Sequence, residues 1–182
     1  VSKQRVIAIA GKKHSGKDTF FELLQKQNPG FVRISLADFL REDARLLPGV
    51  KTLEAHPVYP QDIKKEMLRP LWKAAADVMK AAYGEQFFIR RTVSDINANP
   101  RPVYVVTDCR LRSEAKAFRE HFDCKVVHIV RPSSEPKEVD THKTETEPAL
   151  IKADYSIYNN RDGLGYLEAT AKEIAEEYFP NE

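Results

Sequence analysis

Val6-Ile7-Ala8-Ile9-Ala10-Gly11-Lys12-Lys13-His14-Ser15-Gly16-Lys17-Asp18-Thr19 joins an apolar run to a polar loop bounded by two glycines, and Phe20, Phe21, Leu23 and Leu24 follow at helical spacing. The run before Gly11 contains no polar residue, the pattern of a strand buried on both faces of a parallel sheet. The loop reads as a phosphate-binding loop. Gly11 and Gly16 let the backbone curl into a nest of N–H donors around polyphosphate oxygens, Lys17 adds a mobile positive charge, and the helix start contributes its dipole. In a chain of this composition the Gly-x-x-x-x-Gly-Lys spacing arises by chance about 0.02 times, so a merely connecting glycine-rich turn is the weaker reading. One position departs from the usual pattern: Asp18 stands where Ser or Thr ordinarily ligates magnesium, and Thr19 comes one place late.

At 182 residues the chain suits a single domain, 1–182, long enough to bury a core without staples. A formal charge of +2 with 31% charged residues leaves no strongly basic footprint for nucleic acid, and a small anionic ligand fits better. Cys109 and Cys124 are too few for a disulfide framework and lack metal-ligand spacing, which favours a reducing cytosol. The sequence enters its first strand directly, and no run approaches the roughly 18 apolar residues of a membrane span. The expectation is a soluble, cytoplasmic protein.

Strand character recurs over Val6 to Ala10, Phe31 to Ser35, Val103 to Thr107, Lys125 to Val130 and Tyr155 to Tyr158. Between them lie helical patterns: Asp18 to Gln27, Ile63 to Tyr83, Ser113 to His121 and Leu164 to Tyr178. Strands alternating with helices predict an α/β fold with a five-stranded parallel sheet covered on both faces. In such sheets ligands bind at the carboxyl ends of the strands, so the loops after Ala10, Ser35, Thr107 and Val130 converge on one crevice. Two proline-rich segments fit neither strand nor core helix. Leu47 to Gln61 is expected to be a surface excursion, and Arg131 to Pro148, nearly devoid of apolar residues, a lid or a disordered loop, with a mobile lid favoured.

Candidate chemistry gathers at those strand ends. Asp108 closes the apolar strand Val103-Tyr104-Val105-Val106-Thr107 and can hold hydrated magnesium, cap the next helix or pair with Lys17. Arg110 can grip a phosphate bidentately or pair with Glu114 at the surface. Asp38 and Arg41 flank two apolar residues after the second strand, with helix N-capping as the other reading of Asp38. Arg69 and Trp72 share a helix face where a cation and a ring could contact a phosphate and a base; core packing is the alternative for Trp72. Arg90 and Arg91 are adjacent and by default solvated. Arg131 ends the fourth strand, where closure would carry it over the transferred phosphate.

With these residues on the page, the loop Gly11 to Thr19, with Asp18 after the lysine, resembles that of the phage-type deoxynucleoside monophosphate kinases. Ala37-Asp38-Phe39-Leu40-Arg41 is similar to that family's Ala-Asp-x-Leu-Arg/Lys block, Tyr83-Gly84-Glu85-Gln86-Phe87-Phe88 to its Gly-Glu/aromatic block, and Thr107-Asp108-Cys109-Arg110 through Glu114-Ala115 to its Asp-x-Arg…Glu-Ala block. His142 with Glu145, and Ala153-Asp154-Tyr155-Ser156-Ile157-Tyr158-Asn159-Asn160, resemble blocks near its end. The resemblance implies the P-loop nucleoside monophosphate kinase fold, ATP with Mg2+ as donor and a deoxynucleoside monophosphate as acceptor. It makes Gly11, Lys12, Lys13, His14, Ser15, Gly16, Lys17, Asp18 and Thr19 the ATP cradle, and puts Asp38, Arg41, Arg69 and Arg110 on the acceptor side. Trp72 and Glu114 join that side as substrate-binding candidates; the acceptor region spans about 36–91. Lys17, Arg110 and Arg131 are the catalytic candidates, and Asp18, Thr19 and Asp108 the metal candidates. The segment 131–148 departs from lids rich in arginine, holding only Arg131 with Lys137 and Lys143, so Arg110 or Arg90 is expected to supply transition-state charge.

Two other readings stay open. A phosphomevalonate kinase of the animal type shares the Ser-Gly-Lys-Asp loop and an Asp-x-Arg block; a non-catalytic nucleotide-dependent switch is the reading from another class, although no guanine-reading Asn-Lys-x-Asp run is present. Base, sugar and oligomeric state, a homodimer included, are not legible in the spacing of residues.

Overall fold

The first strand, β1 (Arg5–Ala10), occupies the centre of the sheet, where Val6 through Ala10 are all fully buried. A computed structural model describes residues 3–45, 50, 61–132, 146–160 and 164–180. In chain order the further elements are α1 (Lys17–Gln27), β2 (Phe31–Ile34), α2 (Leu36–Ala44), α3 (Gln61–Tyr83), α4 (Phe87–Ala98), β3 (Val103–Cys109), α5 (Arg112–His121), β4 (Asp123–Val130), β5 (Tyr155–Tyr158) and α6 (Gly165–Tyr178). The strands form one five-stranded sheet in the order β2-β3-β1-β4-β5, and every pairing is parallel. The architecture is the expected α/β fold, with all strand carboxyl ends at one edge.

The chain divides into two compact units, Val1–Ser35 with Val93–Glu182, and Leu36–Thr92, the division falling within α4. The first unit contains the sheet. Ile7, Ile9, Val105, Val127 and Ile129 turn to one side and pack with Phe20 and Leu24 of α1 and Leu167 and Ile174 of α6. Alternate residues turn to the other side, toward α5, whose Phe118 is fully buried. In the second unit α2 packs along α3.

Register is regular along β1–β4 but shifts along β1–β3, from Ala8 opposite Val106 to Ala10 opposite Cys109. Thr107 and Asp108 therefore stand against Ile9 alone, an extra residue that turns the end of β3 beside the glycine-bounded loop. This pairing beyond the bulge carries β3 two residues past the expected Thr107. Two helices were not legible as such. The alternative reading of Asp38, a cap for a helix from Phe39 onward, does not hold: α2 begins at Leu36 and Asp38 lies in its first turn, where a carboxylate suits the helix dipole. In α4 the adjacent arginines masked an apolar face running through Phe88, Ile89, Val93 and Ile96. Of the excursion over 47–61 only residues 50 and 61 are described. In the segment 131–148, residues 133–145 lie outside the described part, and Glu147–Leu150 form a 3-10 turn. Both cysteines are free; burial pushes Cys109 well above its ordinary value and Cys124 up to about 12, as suits core and near-core thiols.

β5 matters to the site because its far end reaches the loop, and its near end is clamped. Asp154 donates its N–H to the Val126 carbonyl (2.8 Å), and its carboxylate accepts from Val126 N–H and Arg119, both at 2.7 Å. Burial opposes ionisation of Asp154, but these donors outweigh it and hold the carboxyl below the usual range. The unfolded chain then binds the proton more tightly, so this contribution is present above the ordinary Asp value of 3.8 and is lost as pH falls through the lower folded value. Asp154→Asn is expected to cost about 1 kcal/mol at neutral pH. In urea melts the gap to wild type should close below pH 3.8; a gap constant with pH contradicts the clamp.

Candidate active site

The loop between β1 and α1 is shaped by positions where no side chain fits. Gly11 has φ 150°, and a Cβ there would lie 2.5 Å from the Ile129 carbonyl oxygen and 2.6 Å from Ser15 Oγ. Gly16, at φ 106°, would meet Asn159 Nδ2 at 2.7 Å. Between them His14 takes a left-handed conformation, φ 62°, the one non-glycine residue with positive φ among those described. Ser15 N–H donates to the Lys12 carbonyl (3.3 Å), and Phe20 N–H to the Gly16 carbonyl (2.9 Å). The amides of Lys17, Asp18 and Thr19 lie in the first turn of α1, at the positive end of the helix dipole.

Two side chains brace the loop from the ends of neighbouring strands. Asn159, next after β5, donates Nδ2–H to the Ser15 carbonyl (2.8 Å), and Arg131, next after β4, donates from Nη1 to the His14 carbonyl (3.2 Å). Lys17 is only 9% exposed, and its ammonium donates to the carbonyls of Gly11 (2.8 Å) and Lys12 (2.5 Å). Ser15 is fully buried, with its Oγ lacking a hydrogen-bond partner among the described residues. His128 stands beside Ala10 in the β1–β4 register; burial first and the Lys17 charge second hold it below its ordinary pKa, so it adds no competing positive charge at neutral pH.

At the end of β3, Ser35 Oγ donates to Asp108 Oδ2 at 2.7 Å. Glu114 turns its carboxylate back onto the N–H groups of Arg110 (2.7 Å) and Leu111 (2.9 Å), the acceptor half of a capping box. Glu114 thereby fixes the turn that carries Arg110. Asp18 is exposed in the first turn of α1 and Thr19 half-buried beside it. Among the described residues no group of three or more His, Cys, Asp or Glu forms a metal cage.

The remaining candidates lie in the second unit. Arg41 pairs with Asp38 (3.0 Å) and lies over the Trp72 ring at 5.5 Å. Arg69 is held by Glu66 at 2.9 Å and 3.1 Å, and the guanidinium over the Trp72 ring is that of Arg41. The two adjacent arginines separate: Arg91 pairs with Asp43 (2.5 Å) and lies over Phe39, while Arg90 donates to the Tyr83 carbonyl (2.5 Å).

A family described as deoxynucleotide monophosphate kinase matches residues 74–170, more than half of the chain. The chain belongs to this family. No curated protein matches its sequence. Among solved structures, TT1252 from Thermus thermophilus is similar with a TM-score of 0.52 and 16% identity, over 97% of this chain and 98% of that one. Shikimate kinase from Aquifex aeolicus is similar with a TM-score of 0.52 and 11% identity, over 97% and 99%. At these identities the likeness is one of fold, and the fold is that of the P-loop kinases.

One brace of the loop, Asn159, and the neighbouring His128 carried no assigned role in the sequence. Asn159 brings an amide from a distant strand, which local spacing does not show. His128 left one trace, a lone polar residue inside Val126-Val127-His128-Ile129-Val130. Asn159→Ala removes one brace of the loop; isothermal titration is expected to show ATP affinity weakened about 3- to 10-fold, the worth of one hydrogen bond. Gly11→Ala should be far more damaging, losing ATP binding together with stability, because the Ile129 carbonyl cannot yield without breaking the β4 edge. Unchanged binding in either variant contradicts the bracing.

Proposed function

We propose that the protein transfers the γ-phosphoryl group of ATP to the phosphate of a deoxynucleoside monophosphate, yielding the diphosphate. The observation that carries this reading is the buried Lys17 ammonium held across the loop by the Gly11 and Lys12 carbonyls. Those two oxygens occupy its donors as phosphate oxygens would. When polyphosphate enters, Lys17 exchanges carbonyl oxygens for β- and γ-phosphate oxygens, and the amides from Lys12 to Thr19 surround the remaining charge. The acceptor phosphate is already anionic near neutral pH, so no general base is required. Catalysis rests on in-line positioning and charge neutralisation.

Mg2+ takes hard oxygen donors and keeps several waters, and the Asp108 carboxylate beside the Ser35 hydroxyl, with Thr19 on α1, fits that chemistry. When bound, Mg2+ would neutralise charge on the β- and γ-phosphates. Asp108 serves it through the hydration shell in this reading, and Asp18, exposed one turn-start away, is the lesser candidate. Arg131, at the His14 carbonyl, and Arg110, on its fixed turn, are the cations assigned to the transition state. Glu114 becomes a positioning residue for Arg110. Arg41 over Trp72, with Asp38 and Arg69, forms the acceptor side, the flat ring and guanidinium suiting a base and a phosphate. ATP as donor and two free thiols suit a cytoplasmic setting. No described helix is long and apolar enough to cross a membrane.

Release of ADP across all deoxy- and ribonucleoside monophosphates, with phosphomevalonate included, is the test. Turnover is expected with one or a few deoxynucleoside monophosphates; turnover of phosphomevalonate alone, or tight ATP binding with no acceptor used, refutes the proposal. Lys17→Ala should lower kcat by about 1000-fold or more while the far-UV spectrum stays that of wild type. Retention of most activity contradicts the assigned role of Lys17.

A further inference from the structure

Helix α5 and the 3-10 turn Glu147–Leu150 lie against each other and are pinned at two places. At one, the Arg112 N–H donates to Glu147 Oε2 (3.0 Å); at the other, Arg119 donates to the Lys152 carbonyl (2.8 Å) and to the Asp154 carboxylate (2.7 Å). Between the pins lies a groove of about 340 Å³, within the range of roughly 300–1,000 Å³ usual for small-molecule sites. Arg112, Ala115, Lys116 and Arg119 share the face of α5 that lines it, spaced by three and four residues along about 10 Å of helix. Leu150, Ile151 and Lys152 line it from the other side.

Charge in this groove is one-sided: four cations line it against a single carboxylate, that of Glu120. Arg119 is spent on Asp154. Lys116 meets Glu120 only at 3.7 Å, with both side chains well exposed, a pairing worth little in water. The side chains of Arg112 and Lys152, on opposite walls, form no ion pair among the described residues. Solvated cations at a surface need no partner, but these converge on an apolar patch. Ala115 and Ile151 are buried, and Leu150 beside them is 63% exposed. An isolated exposed leucine needs no explanation either; a leucine set among converging cations in a pinned groove is the pattern of a site that orients a ligand by charge and holds its body by apolar contact.

We propose that the groove binds a nucleotide-sized organic polyphosphate, with the phosphates on Arg112, Lys116 and Lys152 and the apolar part of the molecule over Leu150. Arg112 offers a planar fork that matches two phosphate oxygens, and the lysines add point charges. Cations spread over two helical turns suit a chain of phosphates better than a lone carboxylate. Two turns offer little to a protein partner, since stable interfaces bury about 800 Å² on each side. Because both walls are already pinned, little has to be ordered on binding. No residue of the glycine-bounded loop lines the groove, so it fills while the ATP cradle is occupied and stands or falls independently of the acceptor that the kinase uses.

Methyl NMR of the full chain, with ATP saturating the cradle, reads the groove through Leu150 and Ile151. Deoxynucleoside triphosphates are added in turn as probes, with inorganic tripolyphosphate and a polyglutamate peptide as comparisons. Both residues are expected to shift saturably with at least one nucleotide, at a dissociation constant below about 1 mM. Arg112→Glu with Lys152→Glu should weaken this binding about 30-fold or more, while ATP affinity and the far-UV spectrum stay those of wild type because both side chains are exposed. Leu150→Ala, read at Ile151, should weaken nucleotide about 3- to 10-fold and leave tripolyphosphate unchanged. Shifts with no nucleotide, or shifts that persist in the double variant, overturn the proposal. So does a Leu150→Ala effect on nucleotide and tripolyphosphate alike, or a response to polyglutamate alone, which would make the groove a surface for an acidic protein.

Discussion

The Ile129 carbonyl comes so close to Gly11 that a Cβ there would lie 2.5 Å from its oxygen, and much of the site depends on that approach. It lets the chain leave β1 and turn at once over the edge of β4, so the loop is seated on the sheet instead of standing away from it. Because β1 is central and fully buried, the seat is as rigid as the core. The same placement puts Ser15 and Gly16 beside Asn159 and puts Lys17 at the head of α1. The concavity of the loop follows from packing that would exist without any ligand.

Electrostatics follow from that packing. The Lys17 ammonium is nearly out of water, yet the Gly11 and Lys12 carbonyls satisfy two of its three donors. Those carbonyls stand in for the water that the ammonium gives up on burial. The neighbouring His128 is pressed toward its neutral form by burial and by Lys17. Positive charge at this strand end is thereby carried by the loop lysine and not by His128. At the β3 edge the bulge across Thr107 and Asp108, with the Ser35 hydroxyl on the Asp108 carboxylate, supplies hard oxygen donors beside that charge.

The sequence made legible whatever is local and severe. A loop that tolerates only glycine at two positions must show glycine there, and a strand buried on both faces must be apolar throughout, so the loop and the five parallel strands could be read directly. Contacts made across the fold were a different matter. Asn159 and Ser15 are 144 positions apart, and nothing in either local pattern announces their hydrogen bond. Helical spacing puts Arg69 and Trp72 on one face, but it does not show that Glu66 holds Arg69 or that an arginine from another helix covers the ring. Glu114 stood in a block that resembles a kinase motif, and its carboxylate spends its hydrogen bonds on the turn that presents Arg110. Polar side chains at a site edge divide between touching ligand and holding backbone, and only three-dimensional placement separates the two.

The central claim is that the loop is a preformed cradle whose amides and Lys17 receive polyphosphate. Residue-resolved amide hydrogen exchange, with and without ATP, measures this most directly. The account predicts that the amides from Lys12 to Thr19 gain protection on ATP addition, while the buried amides of β1 are already slow and change little. ATP binding that leaves exchange across Lys12 to Thr19 unaltered, with protection appearing elsewhere, would contradict it.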